Sequence, residues 1–296
     1  MRVRYGPDGV HFFNRENGLN VLLNECVPPK SSWTLSPRQV SIALTNLCNL
    51  SCPHCYAPKS NATLKKEVLK NWIVELDKAG CFGVGFGGGE PTLHPDLVEI
   101  CEFSNTQTRL SVSLTTNGLN LTETMIDRLK NSVNFIRVSM DGVGRTYEGI
   151  RGRSFDLFLS KIKMLSGRIP FGINYVVNNR TIGNLNEAAH LIEDLGASEL
   201  LLLPEEAVGR GHKIDVQSLG YLKSWLSKYS GSVKLSVSAS YEKQLCAVNP
   251  LEKENLVLAY AHIDATGYIK KSSFDVHGVQ ISSEGVMAAF HKLLGE

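Results

Sequence analysis

The chain has no apolar stretch approaching the roughly 18 residues that a membrane-spanning helix needs, so no membrane partner is expected. It lacks any long basic run, and 31 basic against 29 acidic residues leave a net charge of only +2. Nucleic acid is therefore not an expected partner, because a phosphate backbone is met by clustered Lys and Arg. The opening residues, Met1-Arg2-Val3-Arg4-Tyr5-Gly6-Pro7-Asp8-Gly9, lack the apolar segment of a signal peptide, so a cytoplasmic location is expected. Internal repeats and low-complexity tracts are absent. Cysteine is sparse as well: seven among 296 residues, an odd count with three clustered, does not form a secreted disulfide framework. With 43% hydrophobic and 20% charged residues, what remains is an ordinary globular chain, large enough for one sizeable α/β domain with additions or for two small domains.

The clustered cysteines lie in Thr45-Asn46-Leu47-Cys48-Asn49-Leu50-Ser51-Cys52-Pro53-His54-Cys55-Tyr56, at Cys-x-x-x-Cys-x-x-Cys spacing. The preceding apolar run, Val40 to Leu44, is a buried strand that delivers all three into one loop. Core thiols are not expected at this spacing. A structural zinc site needs four closed ligands, and the only nearby candidate, His54, is squeezed between two of the cysteines. An iron-sulfur cube accepts thiolates on its irons. Three thiolates leave one iron free to be chelated by a small molecule that carries an amine and a carboxylate.

This loop resembles the signature of the radical S-adenosylmethionine (SAM) superfamily, in the branch of the molybdopterin-precursor cyclases and peptide-maturing enzymes. The resemblance covers about residues 40–205 well and the tail loosely. It implies an enzyme with a [4Fe-4S] cluster on Cys48, Cys52 and Cys55 and SAM on the open iron. It further implies reductive cleavage of SAM to a 5′-deoxyadenosyl radical that abstracts hydrogen from a substrate, with an external one-electron reductant such as flavodoxin or ferredoxin. His54 stands where the family commonly places an aromatic near the adenine.

From Val40 onward, apolar runs recur at Val40–Leu44, Gly83–Phe86, Leu110–Leu114, Phe135–Met140, Gly172–Val177 and Leu200–Leu203. Helical periodicity separates them, for example Leu64, Val68, Trp72 and Leu76, or Met125, Leu129 and Val133. Such alternation gives parallel strands with right-handed crossovers. The expected fold is an α/β partial (β/α)6 barrel with an N-terminal β-hairpin and a degenerate C-terminal β-hairpin/helix extension. The first four strands are each followed by a distinctive turn: the cysteine loop, Gly87-Gly88-Gly89-Glu90-Pro91, Thr115-Thr116-Asn117-Gly118 and Ser139-Met140-Asp141-Gly142. Active sites of parallel α/β sheets lie at the carboxyl ends of the strands, so these turns converge on one face. The glycines leave room for backbone to approach a ligand, and Glu90 is placed to bind a cation. By resemblance, Gly88, Gly89 and Glu90 meet the amino group of SAM, and Thr116, Asn117, Ser139 and Asp141 contact its ribose and methionine portions. Arg151 matches an arginine used for its carboxylate, and Val177 lies on the strand along the adenine. Tyr175 reads as core or substrate pocket. Glu205 reads as a helix-starting acid.

Three regions are expected: residues 1–37, an N-terminal β-hairpin or small meander and linker; 38–208, the partial barrel; and 209–296, a capping extension. The first reads as a flap over one edge of the main sheet, and it could also grip a precursor peptide. In the tail, Leu222, Trp225, Leu226 and Tyr229 share a helix face, Val233–Val237 suggests a strand, residues 258–270 form a hairpin, and a last helix lies near Gly285 to Leu294. Many peptide-modifying relatives carry extra cluster-binding cysteines in such an extension. Here Ser272 and Ser273 stand in their place, with Cys246 alone and His262 and His277 as distant substitutes, so no auxiliary cluster is expected. Cys26, Cys81 and Cys101 read as small core hydrophobes. The substrate is a peptide or a small molecule. An electron carrier or zinc-stabilised binding module, and a radical-SAM-like protein without activity, are the rival readings.

Overall fold

A computed structural model describes residues 1–295. Three short strands, β1 (Arg2–Gly6), β2 (Gly9–Phe13) and β3 (Asn20–Leu23), form an antiparallel sheet of their own. The main body then alternates: β4 (Gln39–Thr45), α1 (Lys66–Lys78), β5 (Gly83–Gly88), α2 (Leu97–Gln107), β6 (Ser111–Thr116), α3 (Glu123–Leu129), β7 (Phe135–Ser139), α4 (Arg145–Arg151), α5 (Phe155–Lys163), β8 (Phe171–Val177), α6 (Leu185–Asp194) and β9 (Glu199–Pro204). The remainder supplies α7 (Val216–Lys228), β10 (Lys234–Val237), α8 (Leu256–Ala259), β11 (Tyr260–Ile263), β12 (Tyr268–Lys270), β13 (Val279–Gln280) and α9 (Val286–Leu294). No helix among the described residues is long and apolar enough to cross a membrane.

The second sheet has ten strands in the order β10-β9-β8-β7-β6-β5-β4-β11-β12-β13. The six expected parallel strands are there in sequence order, but the parallel run is longer, because β10 pairs parallel with β9 and β11 parallel with β4. Both additions come from residues 209–296 and are only four residues long. Runs that short carry little periodic signal.

Alternation along each strand separates two environments. Val40, Ile42, Val84, Val112, Ile136, Ile173 and their like are buried in one apolar core with the helices. The opposite face presents polar or missing side chains at matching registers, among them Ser41, Gly85, Ser113, Arg137, Asn174 and Glu199. These positions are half-buried, apart from the core's full burial, so the face stays open.

Helix α1 turns a different stripe inward than expected. Leu69, Trp72, Ile73 and Leu76 are buried, and Val68 is exposed. Residue 64 precedes the helix, so extending its phase from Leu64 misplaced Val68. Cys81 and Cys101 are buried, as core thiols should be, whereas Cys26 is exposed between β3 and β4 and plays no core role.

The N-terminal sheet is not a flap on a sheet edge. Phe13 stacks on Phe82 with ring centroids 5.2 Å apart, Arg2 pairs with Asp77, and Arg15 Nη1 donates to Thr108 O at 2.8 Å and Leu110 O at 3.1 Å. These partners lie just before β5 and β6, at the amino ends of the strands. The sheet therefore closes the end of the body opposite the loops that follow the strands. A peptide gripped there would meet the amino ends of the strands, whereas the cysteine loop follows the carboxyl end of β4.

Candidate functional site

The cysteine loop leaves β4 and is closed at its base by Thr45, which bridges to Thr63 and whose Oγ1 lies 2.8 Å from Thr63 Oγ1. Its second anchor is the turn after β5. Gly89 N–H donates to Thr45 O and Glu90 N–H to Leu47 O, both at 2.7 Å. A Cβ on Gly88 would lie 2.3 Å from Thr45 O, and one on Gly89 2.2 Å from Leu47 O. The glycines thus serve a close approach of backbone to backbone, between this turn and the cysteine loop, where the sequence suggested approach to a ligand. Gly88 also has φ of +123°, a conformation that favours glycine.

Glu90 is buried and held by neutral donors. Oε1 accepts from Thr92 N at 3.1 Å and from the Thr92 and Thr116 hydroxyls at 2.6 Å each, and Oε2 accepts from Asn117 N at 2.7 Å. No ion pair to Glu90 forms among the described residues. Thr116 and Asn117 therefore position Glu90, and the Asn117 amide also reaches the cysteine loop, donating to Asn49 Oδ1 at 2.8 Å.

Behind the cysteines lies a charged network. Asp141 Oδ2 is 2.5 Å from Arg151 Nη2 and 3.0 Å from His54 Nε2, and Oδ1 accepts from Val176 N at 2.9 Å. Arg151 Nη1 reaches Cys52 Sγ at 3.5 Å. Burial alone would push the Asp141 carboxyl up, but the charges of Arg151 and His54 hold it well below the usual carboxylate range. Burial likewise works against the Arg151 guanidinium, and Asp141, Cys52 and Tyr147 more than restore it. Cys52 is pushed up by burial, only partly offset by Arg151.

Of the residues singled out in the sequence, Glu90, Thr116 and Asn117 are joined in one group and Cys52, His54, Asp141 and Arg151 in another, while Cys48 and Cys55 lie on the same loop as Cys52. Ser139 sits on the open face opposite Asn174. Val177 does not face the site, since its side chain belongs to the core. Glu205 starts no helix; its carboxylate accepts from Asn178 Nδ2 at 2.7 Å and His212 N at 2.8 Å. Tyr175 is core, its hydroxyl donating to Thr181 O. Sequence reasoning missed Tyr147, one helical turn before Arg151 on α4, and Asn174, on the open face of β8. It also missed the tail's reach to the cysteine loop, where Phe274 packs edge-on against Tyr56 at 5.0 Å.

Whether the chain's residues suit a cluster and SAM can be judged from its polar atoms. Among the described residues, His54 Nδ1, Arg151 Nε, Tyr147 Oη and Asn174 Oδ1 are buried without a hydrogen-bond partner. Such groups are normally paired. Arg151 among them touches Cys52, and Glu90 adds a buried carboxylate without an ion pair among the described residues, so the set suits a ligand that brings both acceptors and a positive charge. No His, Cys, Asp or Glu group among the described residues converges on a single ion. A cube imposes no such convergence, because it spreads its thiolates over separate irons.

Comparison with known proteins gives the family. Over 193 residues the chain is 31% identical to an AdoMet-dependent heme synthase of Methanosarcina barkeri, covering 62% of this chain and 55% of that protein. Over 163 residues it is 32% identical to mycofactocin maturase MftC of Mycobacterium tuberculosis, covering 52% of this chain and 41% of that protein. The chain thus spans about half the length of the curated relatives it matches. Streptococcus suis SuiB bound to precursor peptide SuiA shares the fold with a TM-score of 0.73 at 11% identity, over 92% of this chain and 81% of that one. The Radical SAM superfamily model matches residues 42–192, just over half of the chain, and the chain belongs to that superfamily.

Proposed function

We propose that the chain is a radical SAM enzyme that carries a [4Fe-4S] cluster on Cys48, Cys52 and Cys55 and acts on a peptide. The observation that carries this is the backbone lock between Gly88-Gly89-Glu90 and the loop that bears the three cysteines, which ties that loop to a buried carboxylate without an ion pair among the described residues. When bound and reduced, the cluster supplies the electron that splits SAM to a 5′-deoxyadenosyl radical able to abstract hydrogen from a substrate.

On this reading Glu90 receives the amino group of SAM, held in place by Thr116 and Asn117. Gly88 and Gly89 set the distance between that carboxylate and the thiolates. Arg151 and His54, fixed by Asp141, present donors beside Cys52, and Ser139 lines the approach. On the half-buried polar face, Arg137 Nη1 and Asn174 Oδ1 lie buried without a hydrogen-bond partner among the described residues, a donor and an acceptor of the kind a peptide backbone reaching them would satisfy. The maturase relative and the peptide-bound SuiB support the peptide reading, and the heme synthase favours a small-molecule substrate as the second one. We read the sheet as a partial barrel: Arg210 N–H donates to Cys55 O at 3.1 Å, although β9 is five strand spacings of about 4.8 Å from β4 in a flat sheet. Residues 38–208 then form most of that barrel and 209–296 complete it without an auxiliary cluster, in a reducing, cytoplasmic setting.

The test is anaerobic reconstitution followed by SAM and dithionite, with peptides and metabolites encoded beside the gene. About four irons per chain and formation of 5′-deoxyadenosine are expected, and Cys52→Ala should abolish both. Zinc in place of iron, or no 5′-deoxyadenosine from a fully loaded protein, would overturn the reading.

A further inference from the structure

A recess of about 440 Å³ lies on the outer side of the cysteine loop. One wall is the loop itself, residues 49–51 and Pro53; the other is Arg151, Arg153 and Arg180 with the end of α4. No acidic side chain lines it. Arg151 is neutralised by Asp141 at the floor, but the other two cations are not. Among the described residues Arg153 donates only to the backbone oxygens of Gly152 at 2.9 Å and Asn49 at 3.1 Å. The exposed Arg180 guanidinium makes no hydrogen bond or ion pair among the described residues. Lys59 adds a third positive charge, its Nζ 3.3 Å from Leu50 O. The nearest acid on α4, Glu148, is engaged with the N–H of Phe155 at 3.0 Å. In a chain whose net charge is only +2, this is a local concentration of one sign.

We infer that this recess is the docking place of a small acidic one-electron carrier protein. The inference rests on the cluster reading above. Charge complementarity selects an acidic partner and speeds its encounter. Position selects an electron carrier over an acidic substrate. Residues 49–51 are the segment between Cys48 and Cys52, and the Arg151 floor touches Cys52 Sγ at 3.5 Å, so a partner seated here contacts the stretch of chain that links two of the thiolates. Glu90, Thr116 and Ser139, which face the SAM side, do not line the recess. In the step served, one electron leaves the reduced carrier and enters the cluster, with no proton or group transferred.

The experiment uses Arg180→Glu and Arg180→Lys, because Arg180 is exposed and outside the site. Binding of oxidised flavodoxin to the reconstituted full chain is followed by flavin fluorescence, and 5′-deoxyadenosine formation is measured with reduced flavodoxin and, separately, with dithionite. At low salt Arg180→Glu should weaken flavodoxin binding about tenfold and slow the flavodoxin-driven rate in proportion. High salt should close that gap, Arg180→Lys should stay near wild type, and dithionite-driven rates should be equal in all three. Undiminished flavodoxin binding by Arg180→Glu, with dithionite turnover intact, overturns the inference alone. A change confined to the KM of a peptide assigns the recess to substrate and also overturns it. If the wild type makes no 5′-deoxyadenosine with dithionite, the cluster reading has failed and the inference falls with it.

Discussion

At the scale of single residues, the buried pair Asp141–Arg151 is the part of the site most exposed to test. Its side chains are 1% and 8% accessible, so neither charge has water to fall back on. Asp141→Asn leaves the guanidinium buried beside Cys52 without an anion and should lower stability by about 3–5 kcal/mol in urea unfolding. Adding Arg151→Met should recover most of that loss, and a single mutant within about 1 kcal/mol of wild type would show the pair is dispensable. His262 gives a second test, away from the cysteines. It is buried on β11 with Nδ1 3.3 Å from Ser41 Oγ, and burial pulls its pKa down to about 4, with Lys270 acting in the same direction and Asp264 against it. Between that value and the unfolded value near 6.5, the unfolded chain binds the proton and the folded chain does not. Stability therefore rises with pH across this window, and going from pH 7 to pH 5 should remove about 2 kcal/mol. His262→Gln should flatten that part of the urea-midpoint profile, and an unchanged slope would remove His262 as its source.

At the scale of elements, the cysteine loop and the Gly-Gly-Glu turn act as one unit. Gly89→Ala places a Cβ 2.2 Å from Leu47 O, against backbone that cannot rotate away as a side chain could. The expected result is a displaced loop with at least a several-fold drop in iron bound per chain after reconstitution, while the far-UV spectrum is retained. Full iron loading would show that the loop yields freely. This unit also shows what was legible in the sequence. The six strands and the residues after them could be read because each strand sets buried apolar residues at alternate positions and ends in a sharply polar or glycine-rich turn. Which partner each polar residue takes could not be read, since Thr116 and Asn117 are adjacent in sequence to each other but bond to Glu90 from the neighbouring strand. The same holds for His54, Asp141 and Arg151. Their residue types pointed to the site, and only the fold joins them through one carboxylate oxygen.

At the scale of the whole molecule, the two ends of the chain do different work than their sequences suggest. The N-terminal strands were readable as strands, but their destination depends on contacts with no local signature, such as Arg4 with Glu254 and Arg15 with Thr108. The tail was harder: its helices were legible, but its strands, two to four residues long, carry little periodic signal, and two of them join the main sheet as parallel neighbours. β11 lies in register with β4 from Tyr260–Gln39 to Ile263–Ile42, and Ala261, Ile263, Ile269 and Phe290 are buried in the common core. α9 is tied to α1 as well, where Glu75 accepts from Val286 N at 2.5 Å and so caps the incoming helix. Ending the chain at residue 208 would strip β4 and β9 of their outer partners and leave two unpaired parallel edges beside an opened core, the arrangement that promotes aggregation. Residues 1–208 should therefore elute as aggregate or unfold without a cooperative urea transition. If they instead remain monomeric, unfold cooperatively and take up iron, the sheet is complete without β10 and β11, and the tail is a cap after all.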